Sequence, residues 1–393
     1  MRITNSRKGK INRILSVRDR LDRGDSVNFF VDFDYLLMGI VLIISIFGLV
    51  MLASASENMY KDRGAMALVV QLIGLVVGFT FAIILSYMDY YLFRLFCIPF
   101  YIGNILLMFL VFTPLGAGEQ GGSTAWIDLK VTTYQPSELM KLAMILVIAK
   151  ILERAQNQGF TFKDYVKIIF TFAFPLGIVI LQKDMGQAMV FVFAFVIVIF
   201  VGRMPWKYLI STIACGSAII PFVWKFAMND TRRERFLAFL DPEKYADYAY
   251  QQEQTVTAIG SGGLVGQGIG NGEMNGSKLI PVKLSDSIFS VIGEETGFIG
   301  CFLVVLLLTI LMIRMLKISK CAREPFGSIV AAGIFAMFLF NIFENIGMNL
   351  GIMPITGLPL PFVSKGGSAM VTNYISIGVL LSISMRKKNE SFF

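Results

Sequence analysis

An all-α polytopic membrane protein with about ten transmembrane helices follows from three features of the 393-residue chain. Hydrophobic residues make up 55% of it, its mean hydropathy is +0.69, and apolar runs of roughly twenty residues recur along its length. A soluble core needs less apolar surface than this, so most of the chain is dissolved in lipid. The runs lie at Tyr35–Leu52, Met66–Met88, Tyr91–Phe112, Pro136–Leu152, Tyr165–Leu181, Met185–Val201, Tyr208–Phe226, Ile288–Leu311, Ile329–Ile352 and Met370–Met385. One membrane domain, 34–386, accounts for them. A basic tail, 1–33, precedes it, a short end, 387–393, follows it, and one large extracellular loop, 227–285, interrupts it.

Charge sets the orientation. The tail carries Arg2, Arg7, Lys8, Lys10, Arg13, Arg18, Arg20 and Arg23 without a signal-peptide pattern, and by the positive-inside rule it is cytoplasmic. Ten crossings from there put Lys163 and Lys167, Arg203 and Lys207, Arg314 to Arg323, and Arg386 to Lys388 on the same side. Loops 113–135 and 227–285 then face outward. These cytoplasmic ends explain most of the net charge of +8, so no nucleic-acid partner is needed. Cys97, Cys215, Cys301 and Cys321 lack metal-ligand spacing and read as packing residues. Histidine is absent altogether, so proton transfer rests on carboxylates, lysine, tyrosine or water.

A charge at mid-bilayer costs about 2.5–3.5 kcal/mol, which makes the polar residues inside the apolar runs the informative ones. In QPSELMK, Gln135 to Lys141, Glu138 and Lys141 share one helical face and can neutralise each other, with Pro136 suited to the first turn. In QKDMGQ, Gln182 to Gln187, Asp184 either caps the next helix or lies with Lys183 at the outer surface or in a watery cavity. In VKLSDSIFSVIGEETGFIG, Val282 to Gly300, Asp286 stands at a helix start, where capping is the plain reading. Glu294 would lie about 12 Å deeper, and Glu295 points about 100° away from it. One of the two is expected to pair within the bundle and the other to reach the cytoplasmic half.

The stretch NIFENIGMNLGIMPITGLPLPFVSKGGSAM, Asn341 to Met370, is broken by prolines and glycines. Irregular backbone is tolerated in a membrane only against protein or a watery cavity, so this segment lines something. In the long loop, NDTRRERFLAFLDPEKYADYAYQQEQ suits short amphipathic helices at the surface. Its continuation AIGSGGLVGQGIGNG either approaches a ligand or makes tight turns.

Together these segments resemble the SEDS proteins of bacterial cell-wall synthesis, the family of RodA, FtsW and SpoVE. The resemblance runs from about Asp34 to Met385 and rests on GSTAWIDLKVTTYQPSELMK, QKDMGQA, QEQTVTAIGSGGLVGQG, SDSIFSVIGEETGFIG and NIGMNLGIMPITGLPLPFVSKGGS, the last looking closer to RodA. It implies a membrane glycosyltransferase that polymerises lipid II, the undecaprenyl-pyrophosphate-linked disaccharide-peptide, at the outer leaflet. It also implies a class B penicillin-binding protein as partner and a role in elongation.

The family's essential aspartate falls on Asp286, its cavity residues on Glu138, Lys141 and Asp184, and its loop tryptophan on Trp126. Asp286 would then be the general base on the acceptor sugar hydroxyl, its basicity raised by low-dielectric surroundings. Arg232, Arg233 and Arg235, with Lys183 and Lys365, would meet the departing pyrophosphate or else bind lipid headgroups. A divalent cation, Mg2+ or Mn2+, would share that task, although no ligand cluster specifies one. The chain departs from the family at Ala125 (usually arginine), Lys183 (proline), Leu284 (histidine) and Lys365 (tyrosine). Lysines 183 and 365 would restore the charge missing at 125 if they meet. A lipid II translocator and a catalytically silent scaffold for the penicillin-binding partner are the alternatives.

Overall fold

The computed structural model describes residues 29–56, 61–119, 123–130, 132–226, 228, 230–276 and 284–386; the expectations for 1–28, 277–283 and 387–393 lie outside the described residues. In lipid an apolar run folds as helix, because helix satisfies every backbone N–H and C=O within the segment. The elements in chain order are α1 (Tyr35–Ser56), α2 (Lys61–Tyr87), α3 (Tyr90–Leu110), β1 (Ile127–Asp128), β2 (Thr133–Tyr134), α4 (Pro136–Gln158), α5 (Phe162–Leu181), α6 (Met185–Val201), α7 (Trp206–Phe226), α8 (Asp230–Leu240), α9 (Ala246–Ser261), α10 (Ile288–Cys321), α11 (Pro325–Asn349) and α12 (Gly367–Ser384). Among the described residues, α1, α2, α3, α5, α10, α11 and α12 are long and apolar enough to cross a membrane. The three other expected spans, α4, α6 and α7, are helices as well, but α4 carries several charges and α6 has only 17 residues. The antiparallel pair β1–β2, with Ile127 opposite Tyr134, was not foreseen in an all-α chain.

Helix ends gather at two faces. At one, Asp34 ahead of α1 pairs with Arg314 of α10 (2.8 Å) and accepts from Ser384 of α12 (3.2 Å). The start of the first span and the end of the last therefore share this basic face. Arg94 meets Glu153 there (3.1 Å), and Arg154 meets Asp164. The opposite face carries the β-pair, α8 and α9, and is called the loop face below. α11 and α12 are the most buried spans, whereas α2 and α3 turn much of their surface outward. Of the four cysteines, only Cys97 is buried.

The two glutamates of α10 do not descend into the bundle. Gly297 has φ 65° and ψ −164°, which ends a first helical segment at 296, and residues 298–321 are long enough to cross by themselves. Glu294 accepts from the backbone N–H groups of Met274 (2.6 Å) and Asn275 (3.1 Å). Glu295 accepts from Ser54 Oγ (2.6 Å) and Asn275 Nδ2 (2.8 Å). Both thus stay at the loop face, and the expectation that one reaches the opposite half is wrong because the helix breaks before it turns inward.

The same break explains the glycine-rich loop. Gln267 N and Gly268 N donate to the carbonyls of Glu294 and Glu295 (3.0 Å each), while Phe298 N and Ile299 N donate back to Gly263 O (2.9 Å) and Leu264 O (3.1 Å). Loop and broken helix thereby satisfy each other's backbone. A Cβ at Gly262 would stand 1.9 Å from Gly293 O, and one at Gly266, where φ is +79°, 2.2 Å from Glu295 O. These glycines admit a neighbouring backbone. Gly266→Ala is expected to destabilise the protein by about 1–3 kcal/mol, read as a lower thermal midpoint in detergent; an unchanged midpoint would show that the loop does not depend on this contact.

Candidate active site

Pro136 opens α4 at a position where its missing N–H has no intrahelical partner. One turn in, Lys141 Nζ lies 3.1 Å from Glu138 Oε2 and donates to Gln187 Oε1 of α6 (2.7 Å), and Gln187 Nε2 donates to Glu138 Oε1. The i, i+3 pairing read from sequence is therefore present. It is closed into a ring by Gln187, which ends the QKDMGQ stretch and whose partners no local spacing marks. All three side chains are buried. Glu138 also lines a narrow cleft with Asn341, Pro359, Pro361, Ser364 and Asn373.

Of the two readings offered for Asp184, helix capping is the one its contacts bear out. Its Oδ1 accepts from Gln187 N (3.2 Å), capping α6, and its Oδ2 accepts from Gln135 Nε2 (2.7 Å). Thr124 N and Ser123 Oγ both donate to Gln182 O (3.0 and 3.2 Å), which ties the segment bearing Trp126 to the turn that holds Lys183 and Asp184. Ala125 is fully buried in that segment. Lys183 has φ 57°, a conformation closed to proline, so the turn here differs from the one a proline would make.

Asp286 sits in the turn before α10. The turn is fastened from behind: Lys365 N donates to Leu284 O (2.8 Å), Ser364 Oγ to Ser285 O (2.6 Å), and Asn345 Nδ2 and Asn349 Nδ2 both donate to Asp286 O (2.9 Å each). The helix start itself falls at Ser287 and takes no side-chain cap, so capping is not what places Asp286. Its carboxyl points toward Gly357, where φ is +77° and a Cβ would stand 3.3 Å from Asp286 Oδ2. A Cβ at Gly186 would meet Thr356 O at 2.9 Å. One strap of irregular backbone, 355–358, therefore touches Asp286 on one side and the first turn of α6 on the other. The proline- and glycine-broken stretch does line something, and what it lines is the junction of the Asp286 and Asp184 motifs.

The Asp286 carboxyl is half-buried by surface yet densely surrounded by protein. Burial pushes its pKa above the ordinary aspartate value, while a hydrogen bond from Ser285 and the charge of Arg235 pull the other way. The charge of Arg235 on α8 therefore reaches this carboxyl. Arg233 instead donates to Trp224 O (2.9 Å) and Lys225 O (2.6 Å), closing the end of α7. The side chain of Arg232 lies outside the described residues. Lys365 is exposed beside the Asp286 turn, and Lys183 occupies the separate α5–α6 turn. Among the described residues, no group of three or more aspartates, glutamates and cysteines could hold a metal ion.

Comparison with known proteins gives the family. A family model described as cell cycle protein, covering FtsW, RodA and SpoVE, matches residues 34–389. The chain belongs to that family. A probable peptidoglycan glycosyltransferase FtsW from Geobacter sulfurreducens is 33% identical over 362 residues, covering 91% of this chain and 96% of the relative. Peptidoglycan glycosyltransferase MrdB from Escherichia coli K12 is 32% identical over 289 residues, covering 73% and 78%. Among solved structures, a chain from a study of polymerisation and crosslinking by a peptidoglycan synthase complex superposes with a TM-score of 0.74 at 28% identity, covering 90% of this chain and 98% of that one. The rod shape determining protein RodA of Thermus thermophilus superposes with a TM-score of 0.65 at 26% identity, covering 90% and 97%. This SEDS protein is a multi-pass membrane glycosyltransferase.

Proposed function

We propose that this SEDS protein polymerises lipid II into glycan strands at the outer leaflet, with Asp286 as the general base. The observation that carries the proposal is the placing of that carboxyl: held at the meeting point of three motifs, raised in pKa by burial, and within reach of the charge of Arg235. In the reaction, Asp286 takes the proton of the acceptor's sugar 4-hydroxyl as that oxygen attacks the donor anomeric carbon. The bond to pyrophosphate breaks in the same inverting step, and its electron pair leaves with the undecaprenyl pyrophosphate. Arg235 and Lys365 meet the charge that develops on the leaving group. Trp126 and the ring of Glu138, Lys141 and Gln187 form the wall of the site on the α4–α6 side. A single carboxylate beside an arginine is a poor cation site, so no step is assigned to Mg2+ or Mn2+.

The basic face is the cytoplasmic one by the positive-inside rule, which puts both termini inside and the loop face outside. A class B penicillin-binding protein is the partner that crosslinks the product. The similarity to a chain studied within a peptidoglycan synthase complex supports that reading. Relatives named FtsW and MrdB match at nearly equal identity, so the assignment to elongation rests on the segment NIGMNLGIMPITGLPLPFVS. The test is to supply lipid II to the purified chain, with and without a class B penicillin-binding protein, and to resolve glycan strands by gel. Strands are expected with the partner present. Their absence with every class B partner of the source organism would remove the proposal.

A further inference from the structure

Two buried asparagines hold Asp286 in place, and the chemistry assigned above uses neither. Asn345 and Asn349 lie one turn apart on α11, at 0% and 2% exposure. A primary amide carries two N–H donors on one nitrogen. Asn345 spends one on Asp286 O (2.9 Å) and the other on Leu358 O (2.8 Å). Leu358 directly follows Gly357, the residue against which the Asp286 carboxyl rests. Asn349 backs the same Asp286 carbonyl (2.9 Å), but its second bond runs to Asn345 O (2.8 Å) and not to the strap.

We propose that Asn345 is a positioning residue for the base: its single amide locks the main chain of Asp286 and the strap beside its carboxyl into one unit. The inference rests on the reading of Asp286 as the base. A side chain of this size with two donors on one atom is asparagine alone; aspartate and leucine offer none, and serine offers one. At this depth water does not replace a lost donor, so without the amide the strap and the Asp286 turn part from each other. A shift of about 1 Å between base and acceptor hydroxyl costs on the order of 10²-fold in rate.

The test is a set of full-length variants assayed with a class B penicillin-binding protein and lipid II. Asn345→Ala is expected to lower kcat by about 10–100-fold while KM for lipid II stays within about twofold. Asn349→Ala, which leaves the strap link intact, is expected to lose less, roughly 3–10-fold. The readout that separates positioning from plain structure is the same substitution in an Asp286→Asn background. If Asn345 acts through the base, it changes the slow residual rate there by less than about twofold. An equal fold loss in both backgrounds, a loss matched by a rise in KM, or a wild-type kcat in Asn345→Ala would each overturn the proposal. Should Asn345→Ala fail to fold, Asn345→Ser, which keeps one donor but cannot make both bonds, carries the same cycle. Full activity in Asp286→Asn would defeat the base assignment itself, whereas an inactive Asp286→Asn beside a fully active Asn345→Ala would defeat only the positioning role.

Discussion

Asp286→Asn is expected to lower glycan-strand synthesis by about 10²–10⁴-fold, the range for loss of a positioned general base. The substitution isolates chemistry from structure. Asparagine has nearly the shape of aspartate, so the contact with Gly357 remains possible, and the bonds from Asn345 and Asn349 reach the main chain, which does not change. A neutral amide also costs less to bury than a carboxylate. The variant should therefore keep the wild-type thermal midpoint and its binding to the penicillin-binding partner while losing strands. A fall in midpoint that tracks the loss of strands would point to structure instead.

The second large effect concerns stability. Lys141→Met is expected to destabilise the protein by about 3–5 kcal/mol, because it leaves the Glu138 carboxylate buried with an amide as its remaining partner in the ring. Replacing both members, as Glu138→Gln with Lys141→Met, removes the uncompensated charge and should recover much of that loss. Thermal midpoints of the wild type, the two single variants and the double variant form the cycle that measures it. Additive losses would mean that the two side chains do not act as a pair. The cleft beside Glu138 gives the pair a position at the site as well as a structural task.

What could be read in advance follows the range over which each interaction acts. The apolar runs and the flanking lysines and arginines are local signals, and they gave the helical membrane fold and a common face for the first and last spans. Glu138 and Lys141 were legible as a pair because they lie three positions apart on one helix, and Asp184 as a cap because it precedes α6 directly. Glu294 and Glu295 were misread because Gly297 looks the same in sequence whether it continues a helix or breaks one. The partners of those glutamates, Ser54 and Asn275, lie far along the chain or in a loop with no periodicity. Gln187, Asn345 and Asn349 lie inside the motif stretches, but nothing local in those stretches marks their partners, although asparagines spaced by four in an apolar helix are a signal of polar contacts made inside it.

The pH dependence of strand synthesis tests most directly whether Asp286 is the base. A base works only when deprotonated, and burial raises the pKa of this carboxyl, so the rate should fall about tenfold per pH unit below a midpoint lying above the ordinary aspartate value. That acid limb should be missing from the residual activity of Asp286→Asn. A wild-type rate that stays level down into the ordinary carboxylate range, or an identical acid limb in Asp286→Asn, would contradict the account.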